Sequence, residues 1–512
     1  MAGKSRTEYA AKNIMWGYIY SFVRIFLEFI LRTIFIYKIG TTYLGVNGLY
    51  TNVLGVLSLS ELGIGVSMNY SLYRPIAEGN RQKIKALMSY FKKAYRIIAI
   101  AVSVIGVAIV PFLQYIIKGA EELSHKELIL YYMIYLFNTV TSYCVSYKYS
   151  LVNAYQKNYI ITKSDTYFKA ITIALQAVIL FVFKSFLLYL ICQALVALVQ
   201  KIYLSVYIDK IYPWLKDKES LALEPEDKQQ LKNNVKGTLV HKLGEVAIYQ
   251  TDNIIISAFI NITTVGLVSN YNLINNAITT FTSAMFNSLT AGYGNFIAKE
   301  SKERQEELLY VNQFLAFGVF GFVAVCLLVL TQPLIGIWVG EKNMIDDFSM
   351  VLLVLNIFFA GERTMVGNYK TAAGIFLQDR WVTILRSIVN LVLSLLLVNF
   401  IGLPGIYIGT LIQGILGNVI EPVIIYKNMF AHSPVKYYLN SLKYMAVTGV
   451  IYIISRFAAG KVYTDKSLLL FAAATVITVV IFIIFYSAVF WRDKYFIILK
   501  NKALNVIRKG KR

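Results

Sequence analysis

Apolar positions run in long blocks along the whole chain, separated by short stretches in which Lys and Arg collect. A helix rises about 1.5 Å per residue, so roughly 20 apolar residues cross the ~30 Å hydrocarbon layer of a bilayer. Inside that layer the backbone must hydrogen-bond to itself, which makes the helix the natural reading of blocks this long. The pattern predicts about fourteen spans, at 14–38, 43–68, 94–118, 128–151, 166–183, 186–207, 237–260, 265–297, 309–330, 348–370, 381–401, 403–426, 438–458 and 467–491. The shortest links, Lys184-Ser185 and Gly402, predict antiparallel helix hairpins.

Composition agrees. Of 512 residues, 57% are hydrophobic and 15% charged, where a soluble domain carries about 25% charged residues. The net charge of +22 would suggest nucleic acid in a soluble protein. Here the basic residues gather in alternate gaps. Lys4, Arg6 and Lys12 open the series; Arg74 to Arg96, Lys157, Lys163, Lys210, Lys299 to Arg304 and Arg508 to Arg512 continue it. Retention on one side of the membrane accounts for this, and predicts a multi-pass plasma-membrane protein with cytoplasmic N- and C-termini and no nucleic-acid partner. Residues 1–12 are polar and basic and the first apolar block is full length, so it is expected to remain as a helix rather than act as a cleaved signal. Cys144, Cys192 and Cys326 lie inside apolar blocks without metal or disulfide spacing, so no metal site is expected.

The longest internal loop, 208–236, contains Glu224-Pro225-Glu226-Asp227, a helix start with Pro in the first turn and acids at the amino end. It reads as a linker with a surface helix between two lobes. Thr41-Thr42, Gly45 and Leu49-Tyr50 join spans one and two; Thr263-Thr264, Gly266 and Asn270-Tyr271 join spans seven and eight. The match falls where a six-plus-six internal repeat places it. The expected fold is therefore an all-α membrane protein of about 14 transmembrane helices, in two pseudo-symmetric six-helix lobes plus two C-terminal helices. The expected parts are an N-terminal lobe at 1–207, the linker at 208–236, a C-terminal lobe at 237–427, spans thirteen and fourteen at 438–491, and a basic cytoplasmic tail at 492–512.

Ionisable residues inside spans carry the candidate chemistry, because each costs roughly 2.5–3.5 kcal/mol at a helix centre and so faces protein or water. Arg24, Glu28 and Arg32 in span one are spaced by four and share a helix face. Two readings stay open: a self-neutralising ladder bridged by Glu28, or an unbalanced cationic site suited to a phosphate, which Arg binds in bidentate fashion. In span seven His241, Glu245 and Asp252 share a face, with Lys242 and Asn253 beside them. Asp252 and Glu245 are candidates for coupling to H⁺ or Na⁺; packing against a polar neighbour is the alternative. Span eight is rich in amides and hydroxyls, including Asn270 and Asn272. Span ten ends in Glu362-Arg363, which point about 100° apart. Glu61 lies near one end of span two.

Tyr43-Leu44-Gly45-Val46-Asn47-Gly48-Leu49-Tyr50, followed by Leu59-Ser60-Glu61-Leu62-Gly63-Ile64-Gly65, resembles the first hairpin of polysaccharide-repeat-unit flippases. Thr251-Asp252-Asn253-Ile254-Ile255-Ile256-Ser257 resembles their seventh span. These flippases belong to the multidrug/oligosaccharidyl-lipid/polysaccharide exporter superfamily. The resemblance implies two lobes about a V-shaped cavity. It also implies a substrate of undecaprenyl diphosphate carrying a sugar repeat unit, whose head crosses a cationic cavity while the lipid tail stays in the bilayer. In the similar lipid II flippases two extra helices, corresponding to spans thirteen and fourteen, form a groove for the tail, and span-one arginines contact the diphosphate; Arg24 and Arg32 are in comparable positions.

The expectation is a bacterial lipid-linked oligosaccharide flippase working by alternating access in capsule or exopolysaccharide synthesis. It is a transporter rather than an enzyme, needs no cofactor, and has membrane lipids and the pathway's polymerase and glycosyltransferases as partners. Its cavity candidates are Arg24, Glu28, Arg32, Asp252, Asn253, Asn270, Asn272 and Arg363, with Glu245 and Asp252 as ion-coupling candidates. A drug or metabolite exporter of the same fold is the nearest rival, and a membrane glycan polymerase or glycosyltransferase the next. An exporter of organic cations calls for an acidic cavity, against which the Arg pair argues. A catalyst calls for acids in external loops, where only Asp346-Asp347 stand together.

Overall fold

The computed structural model describes residues 6–216, 223–375, 378 and 380–510. Among them every regular element is a helix. Contacts divide the chain into two compact units, Met1–Ser269 and Asn270–Arg512.

The first unit holds α1 (Arg6–Ile39), α2 (Thr41–Leu57), α3 (Leu59–Ala77), α4 (Arg81–Ile109), the single turn α5 (Leu113–Ile116), α6 (His125–Ala154), α7 (Tyr159–Val182), α8 (Phe186–Ile211), α9 (Pro225–Tyr249) and the single turn α10 (Asp252–Ile255). A π-helical turn, Ile256–Ile260, follows α10. α11 (Ile262–Lys299) begins in this unit and continues into the second. The second unit adds α12 (Lys302–Trp338), α13 (Asp347–Ala372), α14 (Arg380–Ile401), α15 (Leu403–Ile425), α16 (Val435–Val462), α17 (Leu468–Phe490) and α18 (Lys494–Gly510).

Local chemistry sets the ends. Asn80 accepts from the Lys83 amide at 2.9 Å to start α4, and Ser124 and Glu127 form a reciprocal capping box at the start of α6. Asp346 accepts from the Ser349 amide at 2.8 Å to start α13. The one-residue link at Gly402 has φ +64 and leads straight into Pro404 at the start of α15. Lys184, at φ +50, turns α7 back onto α8. Both predicted hairpins are present, α7 against α8 and α14 against α15. The helix that begins at Pro225 does not stop as a surface element: it runs unbroken to Tyr249 and so carries the linker into the seventh span.

Ten helices are long and apolar enough to cross a membrane, counted among the described residues. They correspond to expected spans three to six and nine to fourteen. The remaining four, spans one, two, seven and eight, are the polar ones that the two Thr-Thr/Gly links join. α1 carries Arg24, Glu28 and Arg32; span two is broken at Ser58 into α2 and α3; span seven is α9 plus a break and α10. Large apolar side chains such as Phe22, Phe26, Ile100, Val104, Phe400 and Ile453 are exposed, as helices solvated by lipid require. α16 and α17 dock on α12. There the Gln313 amide donates to the Tyr437 carbonyl at 2.8 Å and the Ser441 hydroxyl at 2.7 Å, and Phe314 packs among Tyr444, Tyr486 and Phe490.

Candidate functional site

The two repeated links meet within the first unit. Thr42 and Thr263 share a hydrogen bond of 3.3 Å. Gly45 of α2 lies against the backbone of Ile262, and Gly266 of α11 against the backbone of Thr41. A Cβ on either glycine would overlap the facing carbonyl, so only glycine allows this approach. Further down the same face of α2, Gly48 opposes Ser269 and Gly55 opposes the Gln250 side chain. Between them Asn253 donates to Asn52 at 2.9 Å, and Asn52 donates to the Gln250 side-chain oxygen at 2.9 Å. Asp252 begins α10 beside this amide ladder. Its Oδ1 is buried and has no hydrogen-bond partner, and it makes no ion pair among the described residues. The Lys118 backbone ties the link down, its amide donating to Ser257 and its carbonyl accepting from Ile262 at 2.8 Å.

The span-one charges face α7 and α8 of their own unit. α1 packs along α7, and Glu28 pairs with Lys169 of α7 at 2.7 Å. Glu28 is thus committed across the helix interface, and neither arginine of its own helix is in ion-pair contact with it. Arg24 lies over the Tyr20 ring, 5.7 Å from its centre, and its buried Nε has no hydrogen-bond partner. Arg32 stands near Tyr189 of α8, and its buried Nη1 also has no partner. Near them lies Asp165, which accepts from Gln200 at 2.6 Å; Lys201 of α8 turns instead to α6, where its ammonium donates to the Asn138 carbonyl, the Asn138 side chain and Thr141 between 2.7 and 2.9 Å. Lys148 and Asp209 form a separate buried pair at 2.5 Å. Three cations, Arg24, Arg32 and Lys169, accompany two carboxylates, Glu28 and Asp165. The surplus suits an anion.

The second unit has its own charged centre. Glu421 of α15 is met by Lys370 of α13 at 3.2 Å, Arg386 of α14 at 3.4 Å and Arg363 of α13 at 3.9 Å. Arg386 also donates to the Gln413 side chain at 2.8 Å, and Gly417 leaves room for the Arg386 guanidinium and the Arg363 Cδ. Glu362 is buried with Oε1 unpartnered. Asn270 is fully buried with neither amide atom hydrogen-bonded, while Asn272 is half-buried. At the far end of α12, a cleft of about 390 Å³ opens beside α16 and α17, lined by Pro333, Met344, Ala459, Phe471 and Ala474 with Arg456 and Lys466 at its edge.

The structure thus gathers Arg24, Glu28, Arg32, Asp252 and Asn253 in the first unit and Asn270, Asn272 and Arg363 in the second. The side chains of Glu245, His241, Lys242 and Glu61 lie outside the described residues. Lys169, Lys201, Asp165, Lys370, Arg386 and Glu421 were not singled out from sequence, although each is an ionisable residue in or at the end of a span and the rule applied to Arg24 covers them.

A lipid II flippase, MurJ, in an inward-closed conformation superposes with a TM-score of 0.68 over 95% of this chain and 99% of its own, at 14% identity. This chain has the fold of the MOP-superfamily transporters. An inward-facing multidrug resistance MATE transporter of that superfamily matches at 0.62 over 80% of this chain and 98% of its own, also at 14% identity. A point mutant of the Vibrio cholerae MATE transporter VcmN matches at 0.59 over 84% and 98%, at 15% identity. No family model and no curated protein matches the sequence. The MurJ match takes in 95% of this chain and the MATE match 80%, while each neighbour is covered almost to its full length.

Proposed function

We propose that the protein is a flippase for undecaprenyl-diphosphate-linked oligosaccharide repeat units in a bacterial plasma membrane, serving cell-surface glycan synthesis by alternating access. The observation that carries this reading is the pair of guanidiniums on α1, each with a buried nitrogen lacking a hydrogen-bond partner, in a polar seam that holds more cations than carboxylates. A diphosphate brings two or more negative charges and several strong acceptors, and Arg remains protonated at any physiological pH. Arg24 and Arg32 then receive the diphosphate. Within the second unit, the cleft beside α16 and α17, with its apolar floor, suits a polyprenyl chain. Asp252, buried and unpaired, is the carboxylate best placed for coupling to a proton or Na⁺.

Replacing Arg24 and Arg32 with Ala should abolish surface glycan and cause lipid-linked intermediates to accumulate, with the amount of protein in the membrane unchanged. Normal glycan in that variant removes the two arginines from the mechanism. An exporter of organic cations draws support from the MATE likeness, but a cation-surplus seam opposes it; resistance to cationic drugs on overexpression, with unaltered glycan, would decide for it.

A further inference from the structure

We infer that Lys169 is a positioning residue for the anion site, holding Glu28 away from the two arginines so that their guanidiniums stay open to a phosphoryl ligand. The inference rests on reading Arg24 and Arg32 as the ligand's contacts. Glu28 sits midway between them, one helical turn from each, where it would normally bridge one or both. Instead its Oε1 lies 2.7 Å from the Lys169 ammonium on α7. Neither Arg24 Nε nor Arg32 Nη1 has acquired another acceptor in its place.

The arrangement solves a physical conflict. Two guanidiniums two helical turns apart in a low-dielectric seam repel each other and favour a counter-charge when the helix inserts. A carboxylate on the same face supplies it, but one bonded directly to the arginines would compete with every incoming phosphate. Bonding that carboxylate to a third cation on a neighbouring helix keeps it near enough to offset the field while turning one of its oxygens elsewhere. Glu28 and Lys169 are each about one-third exposed, 31% and 34%, so the pair borders open space. No other lysine substitutes for Lys169, since Lys201 faces α6 and spends its three N–H groups on Asn138 and Thr141.

The test uses the full chain in lipid nanodiscs, with inorganic pyrophosphate as the soluble probe and undecaprenyl diphosphate in the disc as the lipid one. In Lys169→Gln, Glu28 is released onto the arginines, and affinity for both probes should fall about tenfold, the cost of displacing an ion pair worth about 1.4 kcal/mol. Lys169→Arg should bind as the native protein does. Lys169→Gln combined with Glu28→Gln should recover the lost affinity, which a purely structural role for Lys169 does not predict. Unchanged binding in Lys169→Gln, or a double variant as weak as the single one, overturns the inference. Arg24→Ala/Arg32→Ala separates the two levels: native-like binding there defeats the arginine site itself, whereas lost binding there with intact binding in Lys169→Gln defeats only the role of Lys169.

Discussion

Gly45→Ala tests the crossing of the two links. The new methyl would overlap the Ile262 carbonyl oxygen, and it would stand 2.9 Å from the carbonyl carbon and 3.1 Å from Cγ1 of the same residue. Ordinary contact to the carbon begins at 3.4 Å, so α2 and the start of α11 must separate by at least several tenths of an ångström. Neither obstacle is a flexible side-chain tip; both belong to helix backbone or its root. Overpacking of this kind costs about 1–3 kcal/mol. Alanine also favours helix over glycine by about 1 kcal/mol, but that gain is common to any state in which α2 remains helical and cancels from the balance between a closed and a parted crossing. The closed arrangement should therefore lose about five- to 150-fold in population relative to a parted one. Cysteines at Thr42 and Thr263, whose hydroxyls lie 3.3 Å apart, report the contact: oxidative cross-linking should be efficient in the native background and reduced several-fold in Gly45→Ala. Gly292→Ala is the control, since a methyl there meets nothing within 4 Å, and its cross-linking should match the native rate. Equal cross-linking in Gly45→Ala would show that the crossing yields without cost and would refute the steric argument.

Three further outcomes follow from the packing. Glu421→Ala strips the carboxylate from between Lys370 and Arg386 and should destabilise the protein by about 3–5 kcal/mol, read as a large fall in melting temperature by fluorescence-detected size exclusion, with Glu421→Gln milder. Gln313→Leu removes both hydrogen bonds from α12 to α16 and should cost about 1–3 kcal/mol, visible as earlier protease cleavage in the turn before Val435. Ser124→Ala opens the capping box of α6 and should cost about 1 kcal/mol, seen as faster amide exchange in the first turn at Leu128 without loss of the helix.

The spans and hairpins were legible because period and length are local properties. Lys184-Ser185 and Gly402 left no room for anything but a reversal, and Pro225 marked a helix start that the structure retains. The reach of that helix was not legible: nothing between Pro225 and Tyr249 breaks a helix, so the change from polar linker to span leaves no backbone signal. The Arg24, Glu28 and Arg32 face was visible as spacing, yet spacing cannot tell whether a carboxylate turns to its own helix or to the next one. The partner Lys169 lies far along the chain and close to the start of its span, where a charge looks like an ordinary end residue. The same discount hid Arg386 and Glu421, each within two turns of a helix end.

The docking of α16 on α12 also bears on how the chain is made. The Gln313 amide finds its acceptor on Tyr437, which is synthesised 124 residues later. At a ribosomal rate of about 5–20 residues per second, that interval is roughly 6–25 s. For that time a primary amide sits in a newly inserted helix without its permanent acceptors. Until α16 arrives, α12 carries that unmet amide at a cost of about 1–3 kcal/mol, so the C-terminal pair of helices completes a helix made long before it.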